Sequence, residues 1–532
     1  MAITRREMLM RVGAVGGTGA TYAAMQMLGL AVGTPAAAAD FALAPASGRG
    51  RSVVILGAGI AGLVSAYELE RAGFRVTLIE ARERIGGRAW SIRGGERVEL
   101  AGETDQIARF SAGQYFNAGP ARLPSHHHAI LGYARKLGVP LEVFVNANRS
   151  AKWDFGGQVR TSGQLQNDLI GRIGELLAKA IDGHALDSAM PPEELAEFRQ
   201  FLGVYAGLDE KGRLTPQARS GFRTLPGGYD HPAELRDPLT LKETLPSRGV
   251  VLPHIFEQMV DMQATMLQPV GGMDRIAYAL HAAIAGPTRL GEPISAIRRS
   301  GSGVRIEHRS GTTTADYCVC TLPTPLLTRI PSDFSKPKRA ALKDVPYLKS
   351  AKVAFEAPRF WEREDSIYGG LAWTDRLNEN VIYPSHGFHA ERGVIVGAYC
   401  AGWIHSDTPD KFAALPLAEQ ISISRASIEA LHPGRGKQLV APLAVDWGKV
   451  PWSEGVGAIG PDFDGADAGQ RRGPAYAELA RPEGPIVFAG EHLSYVGLWQ
   501  ESAATSAHEA VKLIAEMSAA KSAGPIASAV AA

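Results

Sequence analysis

The segment from Arg51 to Glu80 constrains the fold more than any other part of the chain. An apolar, β-branched run ends in Gly57-Ala58-Gly59-Ile60-Ala61-Gly62, which matches the G-x-G-x-x-G pattern. Apolar residues at helical spacing follow up to Gly73, and a second apolar run ends in Glu80. This order predicts a strand, a tight turn, a helix and a second strand, which is the arrangement that binds a dinucleotide. An isolated glycine-rich turn would need neither the second strand nor its terminal acid.

Each part of this pattern has a physical role in binding a pyrophosphate. The first glycine permits the tight turn, the second lets the backbone approach the phosphates, and the third lets helix and strand pack closely. The helix N-terminus offers free N–H groups and partial positive charge to the phosphates. The acid accepts hydrogen bonds from a ribose. The predicted cradle comprises Gly57, Gly59, Ile60, Ala61, Gly62 and Glu80.

Composition excludes several other classes of protein. The 532 residues carry a net charge of +1, so no strong field favours nucleic acid as a partner. Hydrophobic residues make up 45% and charged residues 21%, as in ordinary globular chains, which excludes a disordered or collagenous chain. Three cysteines cannot form a disulfide scaffold.

The residues after the second strand indicate which dinucleotide binds. Glu80-Ala81-Arg82-Glu83-Arg84-Ile85-Gly86-Gly87-Arg88 is an extended E-x-x-x-R-x-G-G-R run that a plain nicotinamide-binding fold does not need. It resembles the FAD-binding extension of the flavin-dependent amine oxidases; the alternative is a basic surface loop. The resemblance implies that the glycines pass close to the flavin and the arginines contact the diphosphate. The cofactor contacts implied here are Ala81, Arg82, Gly86, Gly87 and Arg88.

The C-terminal part agrees with this resemblance. A buried strand is predicted to end in Gly490-Glu491, and a closing helix is predicted from Ser502 to Met517. In the family, a Gly-Glu pair meets the ribityl and phosphate region, and the helix points its N-terminus at the flavin. The resemblance therefore implies cofactor contacts at Gly490, Glu491, Trp499 and Ser502. The resemblance also implies that the Ile294 backbone meets the adenine and that Trp452 lies beside the flavin. No cysteine stands near this segment, so we expect non-covalent FAD.

A second motif indicates the class of substrate. Gly119-Pro120-Ala121-Arg122-Leu123-Pro124 resembles the G-P-x-R-x-P segment of the L-amino-acid oxidases, whose arginine pairs with the substrate carboxylate. A guanidinium offers a planar fork matched to a carboxylate and stays charged when desolvated. We expect Gly119, Pro120, Ala121 and Arg122 at the cofactor, and Arg122 also at the substrate. The alternative is that Arg122 pairs with a structural acid.

The same resemblance implies further residues at the substrate. Lys352 matches the lysine that holds a water near flavin N5, and Tyr383 matches the tyrosine that joins the arginine on the carboxylate. Trp499 matches an aromatic wall over the substrate, and the Leu498 carbonyl faces the amine. Many relatives have glycine in place of Leu498, which leaves the shape of the amine pocket open. The implied catalytic residues are Arg122, Lys352, Tyr383 and Trp499.

Three consecutive histidines follow the arginine motif. Ser125 is placed to cap a helix that begins with His126, His127 and His128 and ends at Gly138. Consecutive helical residues point in different directions, so we interpret the histidines as first-turn residues and expect no metal site.

The resemblance implies oxidative deamination of L-amino acids, with FAD and oxygen, to a 2-oxo acid, ammonia and hydrogen peroxide. Hydride passes from the substrate α-carbon to flavin N5. Aromatic residues near the motifs favour broad specificity for bulky apolar side chains. The alternatives are an amino-acid 2-monooxygenase, an amine or polyamine oxidase, and a non-catalytic flavoprotein.

The predicted fold is α/β, and α+β overall. A Rossmann-like FAD-binding domain comprises residues 50–120, 268–330 and 438–518. A mixed-sheet substrate domain comprises residues 121–160 and 331–437. A helical insert spans residues 161–267, with helices predicted over 193–207 and 254–267, and a flexible tail covers residues 519–532.

The N-terminus resembles an export signal. Residues 1–39 contain Thr4-Arg5-Arg6 with Leu9, similar to a twin-arginine motif, then an uncharged stretch ending in three alanines. This predicts a bacterial protein exported to the periplasm or secreted, or a cytoplasmic one if the signal is not used. We expect no stable membrane anchor, and a homodimer or a higher homo-oligomer.

Overall fold

The computed structural model describes residues 41–459 and 472–523, so the predicted signal segment at 1–39 lies outside the described residues. Among these residues, none of the helices is long and apolar enough to cross a membrane. The α-helices are α1 (Ile60–Arg71), α2 (His128–Lys136), α3 (Ser162–Asp182), α4 (Pro192–Tyr205), α5 (Leu241–Thr244), α6 (Val251–Ile255), α7 (Arg275–Ala282), α8 (Thr324–Leu327), α9 (Lys336–Lys343), α10 (Phe360–Asp365), α11 (Thr408–Ala413), α12 (Leu417–Leu431), α13 (Pro474–Ala480) and α14 (Gln500–Ala523).

The strands form several sheets, of which two carry the site. In chain order the strands are β1 (Ser52–Leu56), β2 (Arg75–Ile79), β3 (Ser91–Arg93), β4 (Arg97–Val98), β5 (Gln106–Ile107), β6 (Tyr115–Asn117), β7 (Leu123–Pro124), β8 (Leu141–Phe144), β9 (Lys152–Phe155), β10 (Gln158–Thr161), β11 (Phe222–Thr224), β12 (Glu234–Leu235), β13 (Met266–Pro269), β14 (Thr288–Arg289), β15 (Ile294–Ser300), β16 (Gly303–His308), β17 (Gly311–Ala315), β18 (Tyr317–Cys320), β19 (Tyr347–Leu348), β20 (Ala351–Pro358), β21 (Gly370–Trp373), β22 (Asn380–Tyr383), β23 (Arg392–Cys400), β24 (Val440–Asp446), β25 (Gly457–Ala458) and β26 (Ile486–Phe488).

The first sheet has the order β14-β2-β1-β18-β26, and its pairings are all parallel. Strands β1 and β18 are almost wholly buried, as their continuous apolar sequences require, since helices cover the faces of a parallel sheet. Helices α1 and α14 pack together on one face and share a core with β1. Because carboxyl ends of parallel strands meet at one edge, the residues that follow β1, β2, β18 and β26 converge there.

The second sheet has the order β21-β22-β23-β20-β24, with antiparallel pairings throughout. It differs from the mixed sheet expected because short connections link β21, β22 and β23 as a meander. Strand β24 belongs to this sheet, pairing with β20, whereas the boundary at residue 438 assigned it to the cofactor domain. Lys352 in β20 lies directly opposite Tyr399 in β23.

The helical insert is organised around α3 and α4, and the helix predicted over 193–207 corresponds to α4. The helix predicted over 254–267 is wrong. Helix α6 ends at Ile255, two short 3₁₀ turns follow, and the chain then enters β13, which lies between β7 and β8. The ladder bonds on both edges of β13 outweigh the helical pattern of its sequence. At the other end, α14 continues through Ala523, into the predicted tail.

Candidate active site

One large cavity lies at the carboxyl edge of the parallel sheet and extends to the second sheet. Its volume is about 560 Å³. Segments that are far apart in sequence line it, and most residues predicted at the cofactor or substrate are among them. These lining residues are Gly57, Gly59, Ile60, Ala61, Glu80, Ala81, Arg82, Gly86, Gly87, Arg88, Gly119, Pro120, Ala121, Arg122, Ile294, Lys352, Trp452, Gly490, Glu491, Leu498 and Trp499.

Two glycines allow the segments around the cavity to approach each other closely. A Cβ at Gly62 would lie 1.9 Å from the Gly57 carbonyl oxygen, so only glycine lets α1 pack against the turn that precedes it. A Cβ at Gly119 would lie 1.8 Å from the Arg88 carbonyl oxygen. The close contact between Gly119 and the Arg88 carbonyl brings the arginine-rich run next to the segment that carries Arg122. Gly62 therefore supports the cradle from behind rather than lining the cavity.

Buried charges fix the ends of the cofactor segments. The Glu80 carboxylate accepts the backbone N–H groups of Ala58 at 2.8 Å and Arg82 at 3.0 Å, which holds the acid at the cavity wall. Arg88 Nη1 donates to Glu491 Oε1 at 3.0 Å and joins the two predicted cofactor motifs. The pKa of Arg88 is raised above its ordinary value. Burial is the largest single influence and lowers this pKa, but the charge of Glu491 and the contribution of Tyr347 together raise it by more.

Arg122 is buried at the other end of the cavity without a counterion. It follows β6 and precedes β7, and it is 4% exposed. Its Nη2 contacts Met262 Sδ at 3.0 Å, its Nε has no hydrogen-bond partner, and it forms no ion pair with any residue the structure describes. Burial lowers the pKa of Arg122. A guanidinium desolvated in this way favours an anionic ligand.

Lys352 is the second buried cation of the cavity wall. Its position in β20 alternates with Ala351 and Val353, which belong to the core on the opposite face. Lys352 Nζ donates to the carbonyl oxygens of Asn117, at 3.1 Å, and Gly119. Burial, assisted by the charge of Arg122, lowers the pKa of Lys352 to about 7.

The tyrosine at the cavity is Tyr399, and the structure does not bring Tyr383 there. The Tyr383 hydroxyl lies 2.7 Å from His432 Nε2 in the core of the second sheet, and the side chain does not line the cavity. Tyr399 lines the cavity, and its ring lies under Lys352 Nζ at 4.6 Å from the centroid. Alternation along β23 and its register opposite Lys352 determine this placement, and no sequence motif marks it.

Ser502 also lies outside the cavity, because its hydroxyl donates to the Trp499 carbonyl within the first turn of α14. The residues of this turn at the cavity are Gln500 and Ala503, since α14 begins at Gln500. Gln500 is 6% exposed, and neither of its amide atoms has a hydrogen-bond partner within residues 41–459 and 472–523. A buried amide without partners at a helix N-terminus is suited to a polar ligand. The family resemblance pointed to Ser502 at this helix and gave Gln500 no role.

Known proteins resemble the chain over most of its length. The sequence model of the family described as flavin containing amine oxidoreductase matches residues 60–515.

The chain belongs to this family.

The fold class predicted from the sequence is therefore confirmed, and the parallel sheet belongs to a flavin-binding fold.

Relatives named as amino-acid oxidases are similar in sequence along most of the chain. The flavin-dependent L-tryptophan oxidase of Lentzea aerocolonigenes is 28% identical over 500 residues, which cover 87% of this chain and 98% of that protein. The L-amino-acid oxidase of Siganus canaliculatus is 27% identical over 489 residues, which cover 86% and 83% respectively. Among solved structures, cyclohexylamine oxidase from Brevibacterium oxydans IH-35A matches with a TM-score of 0.58 at 17% identity, covering 88% and 99%. The structural match shows the shared fold.

The residues at the cavity fit the flavin that this family carries. A Cβ added at Gly59 would lie 4.0 Å from the Gly87 Cα and nearer to no other atom of the described residues outside its chain neighbours, so the glycine edge is open to a phosphate group. Gln500, in the N-terminal turn of α14, lines the same cavity. Helix N-termini at α1 and α14 thus both face the cavity, where they favour the negative charge of phosphate and of reduced flavin.

Aromatic side chains surround the end of the cavity that holds Arg122. Trp499, Trp403 and Tyr399 line it together with Met262. Trp403 stands at the cavity with Phe256 behind it, whereas Trp373 is buried outside the cavity. This composition suits an apolar group bound next to an anion.

Proposed function

We propose that the chain is an FAD-dependent L-amino-acid oxidase that acts on bulky apolar side chains and releases a 2-oxo acid, ammonia and hydrogen peroxide. One observation supports it most: Arg122 is a buried guanidinium that lines the cavity and pairs with no acid among the described residues. A substrate carboxylate would supply the missing anion. An amine without a carboxylate would leave the buried charge uncompensated.

In this proposal, Arg122 orients the substrate. Its fork binds the carboxylate, while the Met262, Trp403 and Trp499 side chains enclose the apolar substituent. The Leu498 backbone carbonyl accepts from the substrate amine. Bound FAD would supply the two-electron redox chemistry between the α-carbon and oxygen.

Lys352 and Tyr399 complete the proposed site. With a pKa of about 7, the Lys352 amine exists partly in the neutral form near neutral pH, so its Nζ can hold a water and accept a proton from it. The Tyr399 hydroxyl takes the role that the resemblance assigns to Tyr383 at the carboxylate. Burial raises the pKa of Tyr399, although Arg122 opposes this effect, so the hydroxyl stays a proton donor.

The dinucleotide and its mode of attachment are also part of the proposal. Glu80 and Ile294 lie at the cavity wall, where a ribose and an adenine would bind. The free cysteines of the described residues are buried and do not line the cavity, which supports non-covalent FAD.

Export and assembly are further proposals that rest on sequence alone, and the domain layout rests also on the pairing of β24 with β20. We infer twin-arginine export of a bacterial protein from residues 1–39, a homodimer or larger oligomer, and three domains, with the substrate domain extended through β24. Fusion of residues 1–39 to a folded reporter tests export.

The first experiment mixes the flavin-loaded protein anaerobically with L-amino acids, D-amino acids and matching amines. We expect the flavin absorbance to bleach with L-phenylalanine, L-leucine or L-tryptophan, and not with the amines. In air, equal yields of ammonia and hydrogen peroxide identify an oxidase, whereas an amide product identifies a monooxygenase. Bleaching by amines alone would contradict the proposal.

Replacement of Arg122 tests the carboxylate contact directly. A charge-assisted contact of about 1.5–3 kcal/mol predicts a KM for L-phenylalanine that is roughly 10- to 150-fold higher in Arg122→Met. The measurement is steady-state peroxide production, and Arg122→Lys, which keeps the charge but not the fork, separates charge from geometry. Phenethylamine is the control ligand, since it lacks the carboxylate: added as a competitive inhibitor, it should show the same inhibition constant in the parent and in Arg122→Met. An unchanged KM for L-phenylalanine would overturn the assignment.

A further inference from the structure

Three metal-binding side chains meet beside the cavity but outside it. His126 and His127 precede α2, and Asp261 lies in the short 3₁₀ turn Val260–Met262 of the helical insert. One ligand atom from each side chain lies within 4.8 Å of the other two. His126 Nε2 is 2.8 Å from Asp261 Oδ1. The expected helical divergence of these histidines does not occur, because α2 begins at His128 and neither His126 nor His127 is helical.

His127 has the environment of an unfilled ligand. The residue is 1% exposed, and neither ring nitrogen has a hydrogen-bond partner among the described residues. Its Nε2 points toward Asp261 Oδ1 at 3.9 Å, which is too long for a hydrogen bond. A buried imidazole without partners is costly, so such a group implies a ligand or a bound water. Two ligand atoms that each lie about 2.0–2.2 Å from the same metal ion are farther apart than two atoms joined by a hydrogen bond.

We propose that His126, His127 and Asp261 form a binding site for a divalent transition-metal ion of the zinc class. Two imidazole nitrogens and one carboxylate oxygen are the donors that this class prefers. The Asp261 side chain is 47% exposed and His126 is 35% exposed, so water can reach the ion and supply the fourth ligand. The exposed carboxylate is also free to turn its second oxygen toward His127.

The site would tie the helical insert to the start of α2 at the substrate end of the cavity. Met262, next to Asp261, lines the cavity and contacts Arg122 Nη2 through its sulfur. The His127 ring packs edge-on against Trp499, with 5.1 Å between the ring centroids. A bound ion therefore restrains two walls of the cavity without touching the cofactor or the substrate. Zinc binding does not depend on the proposed activity, so either proposal can fail while the other stands.

The test measures zinc binding to the flavin-loaded protein after treatment with a chelator. Isothermal titration with zinc chloride near neutral pH, with equilibrium dialysis and metal analysis, gives affinity and stoichiometry. We expect one zinc ion per chain, and binding about tenfold weaker or worse in His127→Ala and in Asp261→Asn. Asp261→Asn preserves the size of the side chain, so it remains informative if the buried His127 variant does not fold.

His128→Ala is the matched control, because His128 adjoins the site in sequence but its side chain is exposed and outside the cluster. We expect this variant to bind zinc like the parent, and zinc to raise the melting temperature of both but not of Asp261→Asn. Absence of a stoichiometric zinc ion in the parent would overturn the proposal. So would equal binding in the parent, His127→Ala and Asp261→Asn, which would place zinc elsewhere on the protein.

Discussion

At the scale of single residues, the site depends on two cations, Arg122 and Lys352, that are buried without a carboxylate partner in the described part of the chain. Arg122 was identifiable from the sequence because its G-P-x-R-x-P segment carries a recognisable motif. Tyr399 was not, because its place at the cavity follows from the register between β20 and β23. Tyr383, two strands away from β20, fits a family pattern but is buried in the core of its own sheet. A sequence motif can identify a site residue on a turn, such as Arg122. A site residue on a strand, such as Tyr399, is determined by the register between strands, which the sequence does not show.

Lys352 should make stability depend on pH in a predictable direction. Its pKa is about 7 in the folded protein and about 10.4 in an unfolded chain, so the unfolded state binds more protons between these values. The cost of burying the ammonium is full below pH 7 and disappears as the pH rises toward about 10. We expect Lys352→Met to be more stable than the parent at pH 6, with an advantage that shrinks steadily as the pH rises toward about 10.

Urea denaturation of the flavin-loaded proteins at several pH values measures this difference. Lys349→Met is the control, because the Lys349 side chain is 53% exposed and pairs with Asp410. If Lys352→Met exceeded the parent in free energy of unfolding by the same amount at every pH, the pKa of Lys352 would be the same in the folded and the unfolded protein.

Leu498 should be strained by its backbone conformation. Its φ of +66° lies in the left-handed region, where a Cβ costs about 1–2 kcal/mol. The side chain is half exposed, so its removal forfeits little burial. Leu498→Gly should therefore be as stable as the parent or more stable, by up to about 1 kcal/mol. Leu498→Ala is the control, because it removes most of the same side-chain contacts but keeps a Cβ at a positive φ. Equal melting temperatures for Leu498→Gly and Leu498→Ala would show that the backbone conformation costs no stability.

At the scale of elements, two helices meet at one carboxylate. Glu501, in the first turn of α14, accepts the N–H groups of Ala129 at 2.9 Å and Ile130 at 2.8 Å at the start of α2. The predicted cap, Ser125, is therefore not used, and α2 begins at His128 rather than His126. A cap supplied from a distant part of the chain has no local signature, which explains why sequence reasoning misplaced it.

Glu501→Gln should destabilise the protein, because the amide replaces one of two acceptors with a donor and removes the negative charge at the helix N-terminus. The expected loss is about 1–3 kcal/mol in the free energy of unfolding, seen as a lower urea midpoint. Glu509→Gln on the same helix is the control, since the Glu509 side chain is 70% exposed. Equal midpoints for the two variants would mean that the Glu501 cap contributes nothing.

At the scale of the whole molecule, the sequence predicted the fold in those segments where a secondary-structure pattern and a cofactor-binding motif occur together. The strand-turn-helix-strand unit and the buried C-terminal strand mark the carboxyl edge of the parallel sheet, where the cavity is found. The insert was harder to predict because β13 has a helical pattern but forms ladder bonds with strands far earlier in the chain, as in the pairing of Leu267 with Leu123. Strand β24 was misplaced for a similar reason, since its partner β20 lies far earlier in the chain.

The cavity is lined by segments that are far apart in the sequence, so bound flavin should raise the free energy of unfolding of the whole protein. The segments that hold Gly57, Arg88, Arg122 and Gly490 meet around one space, and a ligand there stabilises only the folded state. We expect removal of flavin to lower the melting temperature and FAD at 100–1,000 times its Kd to restore about 2.7–4.1 kcal/mol. FMN is the matched control, because it lacks the adenosine that Glu80 and Ile294 are placed to bind. Full restoration by FMN would show that this end of the cavity takes no part in binding, and would remove the argument for a dinucleotide.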